Sequence, residues 1–234
     1  MQRYLPRGRN TRLQIKSLLP CGHAAHTLYF QIMKTHPKEE RTLVVIKPDG
    51  IQRSLIAEII ARYERIGLKL AAIKILVPGA DFIEKHYTLD HEWRMKTGLK
   101  SIKGYTDKGQ KPPSTDPMKV SEKILLVLKK YMTSGPVLAM VWQGAHAVEI
   151  VRKLTGRTEP LTSDVGTIRG DLVLDSYVMS DGDGRAIRNL IHASGSVKEA
   201  NDEIKHWFKK EELVDYRLIN EQILYDVNLD GILE

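Results

Sequence analysis

From Arg41 onward, short apolar runs alternate with stretches in which apolar residues recur every three or four positions. Arg41–Ile46 is an unbroken run of β-formers and predicts a buried strand. Lys47-Pro48-Asp49-Gly50 predicts a turn. Ile56, Ile59, Ile60 and Tyr63 then share one helical face, and Gly67 supplies a stop. Residues 68–77 predict a second strand, closed by Pro78-Gly79, and 81–87 a short helix.

Between 93 and 120 the pattern breaks: Gly98, Gly104, Gly109, Pro112, Pro113 and Pro117 sit among lysines with little periodicity. Structureless stretches of this length are uncommon inside a domain, so 93–120 predicts an insertion on the surface of one domain. Order resumes with a helix over 120–132 and a strand over 137–142. A second helix over 145–155 has Ala147, Val148, Val151 and Leu154 on its apolar face and ends at Gly156. A turn-rich loop over 156–170 follows, then a short strand that reaches His192. Val197, Ala200, Ile204 and Trp207 mark a last helix, with Ser196 and Glu199 spaced as a capping box. Residues 211–234 predict a strapping tail. Two strand–helix–strand halves of this size predict an α+β fold. It is the ferredoxin-like βαββαβ sandwich: a four-stranded antiparallel sheet with helices packed on one face.

Composition narrows the class. The formal net charge of +7 suggests a polyanionic partner, but residues 1–38 hold seven basic residues and no Asp or Glu. The rest of the chain has 29 basic and 29 acidic residues, which argues against nucleic acid as a partner of the folded body. Residues 1–38 therefore read as a basic extension preceding a single domain over 39–234. The extension is either unstructured or a start codon read too early, with Met33 the true first residue; a transit peptide for organelle import is the alternative. The single cysteine, Cys21, excludes a disulfide framework and, even with His23 and His26 nearby, makes a poor zinc site. No apolar run is long enough to cross a bilayer. Together these features point to a cytoplasmic protein.

The candidate chemistry centres on Asn189-Leu190-Ile191-His192-Ala193-Ser194-Gly195-Ser196, a strand that delivers a histidine to a helix N-terminus, where free N–H groups favour an anion. A neutral imidazole there is a nucleophile toward a phosphoryl group. Lys47 follows a strand directly, Arg152 and Thr158 flank the turn at Gly156, and Arg169 lies in Thr-Ile-Arg-Gly-Asp. Each alone reads as a solvated charge or a packing residue. Together they describe a grip for several phosphate oxygens. No Gly-x-x-x-x-Gly-Lys-Ser/Thr loop is present, so this is not a P-loop site.

The segments IKPDG, HY, SGPVLAMVWQG, TGRTEP, TIRGD and NLIHASGS resemble, in order and spacing, those of nucleoside diphosphate kinases, over roughly 40–216 apart from the insertion. The resemblance implies transfer of a γ-phosphate from a nucleoside triphosphate, ATP among them, to a nucleoside diphosphate through a phosphohistidine. It casts His192 as the nucleophile and Lys47, Tyr87, Arg152, Thr158, Arg169 and Asn189 as nucleotide and phosphate ligands. Ser194 and Glu203 become the pair that supports the histidine. Glu203 lies three after Ala200 and four before Trp207, beside the buried stripe of its helix. The resemblance further implies Mg²⁺ carried by the nucleotide, with no protein metal ligand, and a homo-oligomer, hexamer or tetramer.

Three departures stand out. Ala193-Ser194-Gly195-Ser196 replaces the usual Gly-Ser-Asp-Ser, the insertion falls where the family stacks an aromatic on the base, and residues 1–38 have no counterpart. Trp93 is the candidate stacking residue. His86, His91, His146 and His206 are scattered and read as packing or surface residues. A non-catalytic nucleotide-binding or scaffolding member is the alternative reading, and the completeness of the site argues for the enzyme.

Overall fold

The computed structural model describes residues 37–225. The expectations for 1–36, including Met33 and the Cys21, His23, His26 group, lie outside the described residues, as does the tail beyond 225.

Four strands form one antiparallel sheet: β1 (Arg41–Ile46), β2 (Lys69–Leu76), β3 (Val137–Gln143) and β4 (Ile191–Ala193), in the order β2-β3-β1-β4. β1 is central. It pairs with β3 from Arg41↔Gln143 to Ile46↔Leu138, and with β4 through Val45↔His192. This is the ferredoxin-like arrangement. In one respect the sequence-based expectation is corrected, because helices cover both faces of the sheet. Val44 and Ile46 pack with Ile59 and Tyr63 of α2 (Ile56–Arg65) and Val151 of α6 (Ala147–Thr155). Leu43 and Val45 face the other way, toward Ile83 of α3 (Ala80–Thr88) and Ile204 and Trp207 of α9 (Val197–Trp207). The apolar run of β1 has no polar alternation for this reason: a strand sandwiched between two helical layers needs both rows of side chains apolar. Trimming one of these residues, as in Ile46→Ala, would cost about 2–5 kcal/mol.

The Lys47–Gly50 turn is in fact the entry to a short helix, α1 (Pro48–Gln52), with Pro48 in the first turn, where its missing N–H costs nothing. The larger correction concerns 93–120. It holds α4 (Trp93–Asp107) and the start of α5 (Pro117–Met132). α5 begins three residues before the expected position because Asp116 caps it, accepting from the Met118 N–H at 2.9 Å, with Pro117 in the first turn. α4 lacks a buried apolar stripe: Met95 is 45% and Leu99 52% exposed, and Gly98 is its one buried residue. A Cβ at Gly98 would sit 2.0 Å from the Pro117 carbonyl oxygen, so glycine is what lets the two helices touch. The residue that breaks the helical pattern in sequence is thus the one that packs the helix.

Two further short helices, α7 (Ile168–Leu172) and α8 (Tyr177–Gly182), punctuate the long connection between α6 and β4. The described part of the tail straps the first half of β2. The Val214 N–H donates to the Ala71 carbonyl at 2.8 Å, the Tyr216 hydroxyl to that of Leu70 at 3.1 Å, and Lys69 Nζ to that of Tyr216 at 2.7 Å. It ends in α10 (Glu221–Leu224).

Candidate active site

β4 places His192. Its neighbours Ile191 and Ala193 enter the core on the α2–α6 side, so strand alternation turns the imidazole toward α3 and α9. There Glu203, 3% exposed on the buried stripe of α9, meets it: Glu203 Oε1 lies 2.8 Å from His192 Nε2. The other carboxylate oxygen accepts from the Ser194 hydroxyl at 2.6 Å, and Ser194 Oγ accepts the Leu43 N–H at 3.2 Å. A carboxylate can only accept, so Nε2 carries the ring proton and Nδ1 carries the lone pair. Among the described residues Nδ1 has no hydrogen-bond partner. Burial, reinforced by the charges of Lys47, Arg169 and Arg152 and opposed by Glu199, holds the histidine pKa well below its ordinary value. The ring is neutral at physiological pH.

A cationic wall stands beside it. Lys47, at the end of β1 and 5% exposed, donates from Nζ to Asn189 Oδ1 at 2.7 Å. The same ammonium lies 5.3 Å from the Tyr131 ring centroid. Burial and the Arg169 charge push its pKa down to about 7. Asn189 is oriented from its other end, where Nδ2 donates to the Thr158 carbonyl at 2.9 Å. The exposed Thr158 hydroxyl has no partner among the described residues. Arg152, exposed in the last turn of α6, reaches the Ala193 carbonyl from Nη1 at 3.5 Å. Tyr87 is half-buried, with its ring centroid 5.5 Å from that of Trp93.

Arg169 is mostly committed to the fold. Nε donates to the Asn189 carbonyl at 3.1 Å, Nη1 to those of Gly156 and Arg157, each at 3.0 Å, and Nη2 to that of Ile191 at 2.6 Å. A guanidinium has five N–H groups. Four are taken by backbone, and one on Nη2 is left for a ligand.

The backbone is strained at one point. Leu190, fully buried, has φ of +60°. Such a conformation costs a branched residue about 1–3 kcal/mol. Three groups hold it: its N–H donates to Asp49 Oδ2 at 3.2 Å, its carbonyl accepts the Lys47 N–H at 2.7 Å, and Asp49 is itself fixed by the Tyr131 hydroxyl at 2.5 Å. The strained turn lies between Asn189, bonded to Lys47, and His192, bonded to Glu203.

All nine residues singled out from the sequence converge around β4. The sequence reading missed four others: Asp49, Tyr131, Leu190 and His86. His86 is a correction, since it is neither scattered nor on the surface. It is 3% exposed, packs edge-on against His192 with centroids 4.7 Å apart, and accepts the Trp207 indole N–H at Nδ1 at 3.1 Å. Burial pushes its pKa down to about 3, so it stays neutral. Its spacing carried the signal: Ile83 and His86 are three apart on one buried stripe, the relation that singled out Glu203. His86, His192 and Glu203 bring ligating atoms within 4.8 Å of one another. His86 Nδ1 is already engaged by Trp207, and His192 Nε2 and Glu203 Oε1 by their own bond. The carboxylates around the cleft are likewise occupied: Asp49 by Tyr131 and Leu190, Glu203 by Ser194 and His192, and Glu199 by the Gly195 N–H at 3.1 Å. A metal ion placed there would have to compete with these bonds.

The capping box at α9 is present in altered form. Ser196 Oγ accepts the Glu199 N–H at 3.2 Å, but the Glu199 carboxylate returns to the Gly195 N–H and not to that of Ser196. The anion at this helix N-terminus is therefore Glu199 itself.

Residues 40–106 and 119–213 match the family model described as nucleoside diphosphate kinase. The chain belongs to the nucleoside diphosphate kinase family. It is an enzyme that transfers a γ-phosphate from a nucleoside triphosphate to a nucleoside diphosphate. It is 44% identical over 180 residues to the nucleoside diphosphate kinase of Pyrobaculum aerophilum, covering 75% of this chain and 98% of that one. The crystal structure of the P. aerophilum enzyme superimposes with a TM-score of 0.72 at 43% identity, over 76% of this chain and 100% of that one. A nucleoside-diphosphate kinase of Borrelia burgdorferi, solved as a transition-state mimic with bound vanadate and ADP, matches with a TM-score of 0.66 at 34% identity. It covers 80% of this chain and 96% of that one. The chloroplastic nucleoside diphosphate kinase 4 of Spinacia oleracea is 41% identical over 189 residues, 81% of this chain and 64% of that one. The family match leaves out 107–118, a narrower interval than the 93–120 read as inserted, and most of α4 falls inside it.

Proposed function

We propose that this kinase works by a ping-pong cycle through phosphohistidine at His192 Nδ1. The observation that carries the reading is the His192–Glu203 bond at 2.8 Å, which commits Nε2 and leaves Nδ1 as the nucleophile. The Nδ1 lone pair attacks the γ-phosphorus as the bond to the β,γ-bridging oxygen breaks, and the nucleoside diphosphate leaves with that electron pair. The ring keeps its Nε2 proton and becomes cationic on phosphorylation. Glu203 offsets that charge, and Ser194 holds Glu203. A second nucleoside diphosphate reverses the step. Lys47, Arg152, the remaining Arg169 N–H and the Thr158 hydroxyl hold the phosphate oxygens, in a site that does its work by position and charge. Asn189 aims Lys47, and Tyr87 and Trp93 form the aromatic side of the cleft. Mg²⁺ arrives on the nucleotide and neutralises phosphate charge.

The test is incubation with γ-labelled ATP and Mg²⁺ without acceptor, followed by GDP. Acid-labile label on the protein, absent in His192→Ala and chased into GTP, is the expected result. Bound nucleotide without labelled protein would instead support the non-catalytic reading.

We further propose a homo-oligomer. β2 is an edge strand, the tail's backbone hydrogen bond to it falls at Ala71, with Glu212 paired to Lys74 further on, and Ile73, Ile75 and Val77 are 47%, 61% and 67% exposed. An open apolar edge of this kind is a template for pairing with a second copy. Ile75→Lys should lower the molar mass measured by light scattering. Among the described residues no helix is long and apolar enough to cross a membrane. The proposed location is the cytoplasm, which imaging of the full chain fused to a fluorescent protein tests.

A further inference from the structure

Two segments flank the residues read as the nucleotide site. One is α4, which starts at Trp93 against Tyr87, whose neighbour His86 packs on His192, and runs on for 15 residues. The other is the 156–190 connection, in which α8 is anchored close to the phosphate site. The Tyr177 N–H donates to Glu159 Oε1 at 2.9 Å. Near the base of the cleft the helix pair reaches the far side through Tyr131, which binds Asp49 beneath Leu190.

At the outer end the two segments meet again. The Tyr105 hydroxyl, three turns along α4 from Trp93, donates to Asp181 Oδ2 at 2.6 Å. Just past the end of α4, Lys108 Nζ lies 5.8 Å from the centroid of the Tyr177 ring. Burial and the Asp181 carboxylate push the Tyr105 pKa up to about 12, so the phenol stays a donor across the working range. Both contacts come from the outer end of α4 and its exit, at the border of the 107–118 segment that the family match leaves out. They join residues far apart in sequence, one on each of the two segments that flank the proposed nucleotide site.

We propose that Tyr105–Asp181 and Lys108–Tyr177 form a latch across the mouth of the nucleotide cleft, which must open for a nucleotide to enter or leave. The inference rests on the reading of this cleft as the nucleotide site. An exposed hydrogen bond and an exposed cation–π contact are each weak in water, so the latch opens and recloses without unfolding either segment. Once closed over a bound nucleotide it slows escape. A ping-pong enzyme exchanges one nucleotide for another at a single site every half-cycle, so the latch acts on the exchange step and not on the phosphoryl transfer.

The test is stopped-flow dissociation of Mg²⁺-bound ADP carrying a fluorescent ribose label from the full chain and from Tyr105→Phe, Asp181→Ala and the double variant. Each single change should raise the dissociation rate about three- to tenfold, the range that one exposed hydrogen bond supplies. The double variant should be no faster than the faster single one, with thermal midpoints unchanged. Lys108→Met should also speed release, by a smaller factor. Unchanged rates, or single effects that multiply in the double variant, would overturn the latch. The amount of acid-labile phosphoenzyme formed at saturating ATP separates the two inferences. Wild-type phosphoenzyme with unaltered release rejects the latch alone, whereas wild-type protein that takes no label rejects the reading of the site.

Discussion

Glu203 holds His192 by one carboxylate oxygen at 2.8 Å and Ser194 by the other at 2.6 Å. The pair sets which nitrogen of the ring is free and, in the proposed cycle, where the charge goes when that nitrogen takes a phosphoryl group. The acid must be buried to do this, and burial pushes its pKa up, an effect opposed by His86, the Ser194 hydroxyl and His206.

Glu203→Gln keeps an acceptor for Nε2 and removes the negative charge. The expected outcome is a drop of about 10- to 100-fold in phosphoenzyme formation, a loss of about 1.4–2.7 kcal/mol of transition-state stabilisation, with little change in nucleotide affinity. Single-turnover labelling and equilibrium binding separate the two. A parallel loss of affinity would mean that Glu203 only maintains the shape of the site.

Arg169 is a structural clamp as well as a proposed phosphate ligand. Arg169→Ala leaves four backbone carbonyls of the 156–191 connection without their donor, a destabilisation of about 3 kcal/mol or more. Arg169→Lys should not rescue it, because an ammonium cannot span four carbonyls in the guanidinium plane. Thermal unfolding of both variants without nucleotide checks this. Wild-type stability in either would make the arginine a ligand alone.

Lys47 has a pKa of about 7 in the folded protein against about 10.5 for a free lysine. Between these values the unfolded chain binds more protons than the native one, so stability should rise with pH from about 7 to 10.5. Below pH 7 the contribution is level, since both states are charged. Urea unfolding at several pH values should show the rise in wild type and not in Lys47→Met. The same shift predicts that phosphate binding recharges the amine, with uptake of about one proton per site at pH 8. Calorimetry in buffers of different ionisation enthalpy measures it; no uptake would contradict the assignment of Lys47 to the phosphates.

Gly98→Ala places a methyl group 2.0 Å from the Pro117 carbonyl oxygen. The helix pair must separate, at a cost of about 1–3 kcal/mol. Because α4 carries Trp93 at its start, nucleotide affinity should fall as well, while label already on His192 should remain acid-labile. Crystallography or hydrogen exchange across α4 and α5 would show the displacement. An unchanged exchange pattern would mean that the close approach is not needed.

The sequence by itself determined the strands, most of the helices and the chemistry. Unbroken apolar runs mark β1 and β3 because both rows of their side chains are buried, and 3.6-residue spacing marks α2, α6 and α9 because each has one strongly apolar face. Short segments that resemble those of nucleoside diphosphate kinases single out His192, Lys47, Arg152, Thr158, Arg169 and Asn189 as the proposed site. Helix α4 was illegible because it buries only Gly98, whose role depends on a neighbour 19 residues away. His86 was illegible as a site residue because its meaning lies in Trp207 and His192, which arrive from other elements. The tertiary structure alone decided that helices would cover both faces of the sheet, that Leu190 would be strained, that Arg169 would give four of its five N–H groups to backbone, and that the tip of α4 would close on α8. Each of these depends on which distant groups meet, and local pattern carries no record of that.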